Sequence, residues 1–192
     1  LLKTKQSDQS HLILGVRSYN IFDPRKYALQ VMSDILGGGM SSRLFQKIRD
    51  ELGAAYYVKA SPDLFTDHGY LAVSAGIDHK KLEIVIQSVI GEFNRLKNET
   101  VPDEELKRAK EHLTGQFVLG LEGTDELASF YGGQEILEKS ILSVEEVVKK
   151  IQSVTSDEIR KVAVDIFKNA NLNLAMISPL ADKSGLEKIL GF

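Results

Sequence analysis

GGGMSSRLFQKIRDELGAAYYV, residues 37–58, is the stretch on which the reading of the whole chain turns. Three glycines make a flexible loop, and Ser41 or Ser42 is placed to cap the helix that follows. Leu44, Phe45, Ile48 and Leu52 recur at helical spacing on one face. Gly53 suits the left-handed residue that ends a helix. Ala54 to Lys59 then reads as a short strand with two adjacent tyrosines. Arg49 falls in the last helical turn, and Tyr56 comes seven residues later on the departing strand. A guanidinium and a phenol so arranged offer several hydrogen-bond donors to one point in space.

Working outward, His11 to Tyr19 is predicted as a strand, with Leu12, Leu14 and Val16 on one face and Ile13 and Gly15 on the other. Residues 1–10 read as a linker or edge segment, and residues 11–192 as one domain. Asp23-Pro24 starts a helix whose apolar side holds Tyr27, Val31, Ile35 and Leu36, and which stops at the glycines. Ser61 to His68 is predicted as a loop containing Pro62. Gly69 to Ile77 is a second strand, able to pair antiparallel with residues 54–59. Its bulky face carries Leu71, Val73, Ala75 and Ile77; its other face carries Tyr70, Ala72, Ser74 and Gly76. The bulky face requires a helix layer, whereas the small face admits a helix or a bound chain at close range.

Helices are then expected from Asp78 or His79 to Lys97, from Pro102 to Leu121, and from Thr124 to Leu137. Two more open at Ser143 and Thr155 with capping-box patterns. A last strand runs from Asn171 to Ser178, and Ala181 to Leu190 closes the chain as a short helix. Strand, two helices, two strands, about five helices, strand and helix make an α+β two-layer sandwich. The sheet is mostly antiparallel and covered on one face by helices.

Composition excludes several function classes. The chain has 192 residues, 43% hydrophobic and 27% charged, with a formal net charge of −3 and no cysteine. Thiolate catalysis, disulfides and cysteine-bound zinc are therefore ruled out. No basic patch suggests nucleic acid. No apolar run approaches a membrane span and no signal-peptide pattern opens the chain, so a cytoplasmic protein is expected. The first residue is leucine and not methionine, so a piece cut from a longer protein, with its leader lost, is one expectation.

Metal binding by this chain is not expected. His11, His68, His79 and His112 have no spacing that suits a helical ligand pair, and H-x-x-E-H is absent. Glu111-His112 holds the last two residues of that motif, but Arg108 stands where its first ligand would be. The triple glycine follows a helix and lacks the G-K-[ST] of a phosphate loop. Taken alone, Arg49 and Tyr56 are also ordinary: an arginine meeting a helix dipole and a tyrosine on a strand.

The ordered set of motifs adds what single residues do not. The glycine loop, Ser-Ser-Arg-Leu-Phe, the Ile-Arg-Asp-Glu helix end, Gly53 and Tyr56 resemble the family of insulinase, pitrilysin and mitochondrial processing peptidase. The resemblance is to the metal-free C-terminal half of bacterial members. It continues through Gly69–Ile77, Leu106-Lys-Arg-Ala-Lys, Gly115, Leu142-Ser-Val-Glu-Glu and the strand at Asn173–Ile177, covering about residues 10–190. It implies two related α+β halves facing one another. One, upstream in the same polypeptide or in a partner subunit, carries Zn2+ and the inverted motif; the other supplies an arginine and a tyrosine to an extended peptide substrate. Arg49 and Tyr56 stand at those positions, and Gly38, Gly39, Ser41, Ser42 and Tyr57 become candidate substrate-binding residues. The sequence differs from the family pattern in having Ala55 and Tyr57 beside Tyr56, where a leucine before and a small residue after are usual. Tyr57 is thus a second candidate for the same role.

Two functions of different class follow. One is the substrate-binding domain of a zinc metalloendopeptidase, inactive by itself; the other is a non-catalytic scaffold of the same fold. The Arg49–Tyr56 pair separates them, because a scaffold has no chemical reason to keep it. An α+β binding domain unrelated to proteolysis would leave the ordered resemblance an accident.

Overall fold

The structure, a computed structural model, describes residues 1–138, 140–180 and 184–191. Five strands form one sheet in the order β1-β5-β2-β4-β3. In chain order the elements are β1 (Leu2–Thr4), β2 (Ser10–Ser18), α1 (Lys26–Gly37), a π-helical segment (Phe45–Glu51), β3 (Ala55–Leu64) and β4 (Gly69–Ile77). Then come α2 (Leu82–Asn98), α3 (Asp103–Leu119), α4 (Thr124–Leu137), α5 (Val144–Gln152), α6 (Ser156–Ile166), β5 (Leu172–Ser178) and α7 (Ser184–Ile189). Short 3-10 turns at His79–Lys81 and Asn169–Asn171 lead into α2 and β5. Every neighbouring pair of strands is antiparallel except β1 with β5, which is parallel, so the sheet is mixed. The α+β architecture expected from the sequence is the one observed.

The strict alternation in β2 and β4 decides the layering. Leu12, Leu14, Val16, Leu71, Val73, Ala75 and Ile77 are all essentially inaccessible and share a core with α1, α2 and α6. Burial of each large side chain contributes about 1.5–3 kcal/mol. Phe93 of α2 and Phe167 after α6 stack at 4.2 Å between ring centroids, joining the two helices over the sheet. The opposite sheet face is uncovered among the described residues. Its register places side chains in rows across the strands: Tyr57, Gly76, His11 and Ile177; then Lys59, Ser74, Ile13 and Ala175; then Ser61, Ala72, Gly15 and Asn173.

Three local expectations give way to the structure. The strand predicted to stop at Lys59 runs on to Leu64, and Pro62 lies inside it instead of in a loop. β3 is the sheet edge, where a residue without an N–H breaks no ladder bond. The helix predicted after the glycines is π-helical, with Leu52 N bonded to Lys47 O and Ala54 N to Ile48 O. Neither serine caps it; Ser42 is buried and its hydroxyl donates to the Gly39 carbonyl. The helix expected from Asp23-Pro24 begins at Lys26, because the Asp23 carboxylate accepts from Arg25 N and holds a turn there. The capping boxes at Ser143 and Thr155 form as read. Of the closing helix predicted from Ala181, residues 181–183 lie outside the described residues.

Candidate functional site

Arg49 and Tyr56 are joined by a turn held by several fixed backbone partners. Gly53 has φ +53°, a conformation costing a residue with a Cβ roughly 1–2 kcal/mol. The following amide, Ala54 N, donates back to Ile48 O at 2.9 Å, and Ala54 O accepts from Asp78 N at 3.2 Å. Lys81 Nζ then donates to Leu52 O at 2.7 Å and to Gly53 O at 3.1 Å. An ammonium thus satisfies the carbonyls that a helix end leaves open and opposes its negative pole. From this clamped turn Arg49 emerges exposed, its Cζ 4.9 Å from the Phe45 ring centroid, and makes no hydrogen bond or ion pair among the described residues. Tyr56 is 76% exposed and its hydroxyl likewise has no partner among them.

A β-bulge sets the tyrosines. Ala55 pairs with Ile77 and Tyr57 with Gly76, so Tyr56 is the inserted residue. Bulges re-aim side chains in this way. Tyr57 faces the uncovered side of the sheet, and neither tyrosine is carried under the helices. The ring of Tyr57 stacks on that of His11 at 6.2 Å, with its hydroxyl 3.3 Å from His11 Nδ1.

The glycine loop is packed more closely than a flexible elbow. A Cβ on Gly37 would strike the Ala60 backbone, one on Gly38 the Asp34 carboxylate, and one on Gly39 would lie 3.2 Å from the His112 ring. His112 Nδ1 meets Asp34 Oδ1 at 2.8 Å, tying α3 to α1 beneath the loop. Burial raises the Asp34 carboxyl above its ordinary range, with His112 opposing the shift. Gly38 and Gly39 are half-buried, Ser41 is exposed and Ser42 is 5% exposed, so Ser41 presents the most open side chain of this group.

Two buried polar networks hold the frame. Arg43, at the start of the helical segment, grips Glu105 of α3 through Nε–Oε1 at 2.7 Å and Nη2–Oε2 at 2.6 Å, and reaches Glu92 of α2 at 3.5 Å. On the other side, His79 Nε2 lies 2.9 Å from Ser7 O and its Nδ1 2.8 Å from Ser10 Oγ. A carbonyl only accepts, so Nε2 carries the proton and Nδ1 accepts from Ser10. Ser178 Oγ in turn lies 2.7 Å from Ser10 Oγ. Neither network was legible in the sequence, since no spacing links positions 43, 92 and 105 or 7, 10, 79 and 178.

Beside the site the uncovered sheet face forms a trough of about 1050 Å³, floored by Gly15, Ala72, Ser74 and Ala175. Arg17, Asp63 and Tyr70 stand at its far end. The four histidines do not converge on a zinc-binding set. His11 is engaged with Tyr57, His68 with Asp67, His79 with Ser7 and Ser10, and His112 with Asp34 and Gln116. Among the described residues there is no group of three or more His, Asp or Glu suited to a metal ion. The described residues therefore do not fit zinc.

Known proteins share this fold. The family described as the peptidase M16 inactive domain matches residues 1–113. The chain is 36% identical over 179 residues to an uncharacterized zinc protease of Streptomyces coelicolor, covering 93% of this chain and 39% of that protein. It is 31% identical over 179 residues to an uncharacterized zinc protease of Bacillus subtilis, covering 93% of this chain and 44% of that protein. The chain thus spans about two-fifths of the length of these curated relatives. In fold it is similar to a peptidase M16 inactive domain from Pseudomonas fluorescens, with a TM-score of 0.83 at 20% identity over 94% of this chain and 43% of that one. A family match over more than half of the sequence, joined to one fold along nearly its full length, shows that the chain belongs to the peptidase M16 inactive-domain family.

Proposed function

We propose that this chain is the substrate-binding half of a zinc metalloendopeptidase that hydrolyses peptides or unfolded polypeptides, with Arg49 and Tyr56 directed at the substrate backbone. The observation that carries the reading is that both side chains are exposed at the two ends of one clamped turn and have no hydrogen-bond or ion-pair partner among the described residues. Zinc belongs to a complementary half, in the same polypeptide or a partner subunit, where it supplies the hydrolytic chemistry. The relatives' designation as zinc proteases and their greater length favour that division. Here the chain's own residues bind and orient. The guanidinium is charged at all relevant pH and the phenol donates one O–H, so the two hold a carbonyl oxygen as negative charge grows on it. Ser41, Ser42, Gly38 and Gly39 bound the approach from the loop side, and Tyr57 bounds it from the sheet. The two related halves face one another as a dimer-like pair in a bacterial cytoplasm.

The test uses the full-length zinc-loaded protein and an unfolded polypeptide. Removing one such donor costs about 3 kcal/mol, so Arg49→Ala and Tyr56→Phe should each lower kcat roughly a hundredfold with unchanged melting temperature. Equal turnover by wild type and the double variant would refute the assignment. No turnover by wild type would favour the scaffold.

A further inference from the structure

The row Tyr57–Gly76–His11–Ile177 crosses β3, β4, β2 and β5 at the end of the sheet nearest Tyr56. It brings together residues far apart in sequence, and none of them is covered by the helix layer. The Tyr57 ring occupies the space above Gly76: a Cβ there would lie 2.5 Å from Cε1 and 3.1 Å from Gln9 Oε1. The ring therefore lies against the sheet, where its hydroxyl meets His11. Ile177 is 42% exposed next to His11, and Ile13 is 52% exposed in the adjacent row. Aromatic and aliphatic faces thus make one continuous surface. It has polar atoms at its margin, the Gln9 amide and His11 Nε2, and the latter has no partner among the described residues.

The surface is held still. His79 binds Ser7 and Ser10, which flank Gln9 and precede His11, so the segment that presents both is fixed from the buried side. Rigid aromatic surface with a few polar atoms at its rim is the chemistry of a side-chain subsite.

We propose that Tyr57, His11 and Ile177 form a subsite for a bulky apolar side chain of an extended polypeptide, with His11 Nε2 engaging the neighbouring substrate backbone. This rests on the reading that such a polypeptide reaches Arg49 and Tyr56, and it adds a basis for sequence selection that those two residues lack. A backbone carbonyl is common to every substrate, whereas an apolar platform discriminates among side chains.

The experiment measures kcat/KM of the full-length zinc-loaded protein on a peptide series carrying Leu, Phe, Gly or Asp at successive positions around the cut. Wild type should favour Leu and Phe over Asp by about tenfold or more at one position. Ile177→Asp and His11→Ala should each abolish that preference, chiefly through KM and with the melting temperature unchanged, and His11→Ala, which also removes the backbone contact, should raise KM for the Gly peptide as well. His11→Gln, which keeps a donor, should recover part of the KM. An unaltered ranking in both variants, with Arg49→Ala still crippled, would overturn the subsite alone. Full activity in Arg49→Ala would overturn the underlying reading, and absence of turnover on every peptide would overturn both.

Discussion

Gly76 is the seat of Tyr57: the ring lies where a side chain at position 76 would have to go. The obstructing atoms belong to the Tyr57 ring and not to backbone, so the ring can be pushed aside while the sheet keeps its pairing. Gly76→Ala is therefore expected to change stability by less than about 1 kcal/mol while displacing the ring. Proton spectra should show the Tyr57 and His11 ring signals moving away from their stacked shifts. Unchanged ring shifts would mean that the glycine has another purpose.

Arg43 makes a different case, because its partners are buried with it. Side-chain exposure is 10% for Arg43, 10% for Glu92 and 22% for Glu105. Removing the guanidinium leaves the Glu105 carboxylate without its bidentate partner in a poorly solvated place, while Glu92 keeps Arg95 at 3.0 Å. Arg43→Met should cost about 3–5 kcal/mol in urea denaturation, and much less when combined with Glu105→Leu. Additive losses in the pair would show that the two side chains act independently.

Tyr19 governs the alkaline limit. Burial, and donation of its hydroxyl to Asp165 Oδ2 at 2.9 Å, push its phenol well above the ordinary value near 10. Nearby Arg25, with Cζ 3.9 Å from the ring centroid, pulls the other way and loses to burial. The folded chain therefore keeps a proton that the unfolded chain gives up from about pH 10. The stability this contributes is complete below that pH and falls as pH rises toward the folded value. Tyr19→Phe should flatten the decline in melting temperature above pH 10; an identical slope would exclude Tyr19 as its cause.

Much of the fold was readable because the alternations in β2 and β4 are strict and long enough to fix two faces. The same holds for the helix starts at Ser143 and Thr155, where the cap and its glutamate lie three residues apart. What escaped reading depends on partners distant in the chain. Pro62 looks like a strand breaker until β3 is known to be the edge. Leu44, Phe45, Ile48 and Leu52 fit helical spacing, but so short a run does not distinguish an ordinary helix from the wider π form. Arg49, Tyr56 and Tyr57 share one local stretch, whereas His11 and Gly76 come beside them only through sheet pairing, and Lys81 only through its long side chain from the turn before α2. The glycines were read as freedom and prove to be close packing, since spacing does not report what stands opposite.

The bulge at Tyr56 ties this surface to chain length as well as to residue identity. Deleting one codon there would let residues 55 and 57 resume ordinary alternation, keeping the ladder and the seat of Tyr57 while removing the exposed phenol of Tyr56. Shortening at this one place would thus spare the sheet, whereas the loss of a residue further along the strand would turn every side chain beyond it to the other face.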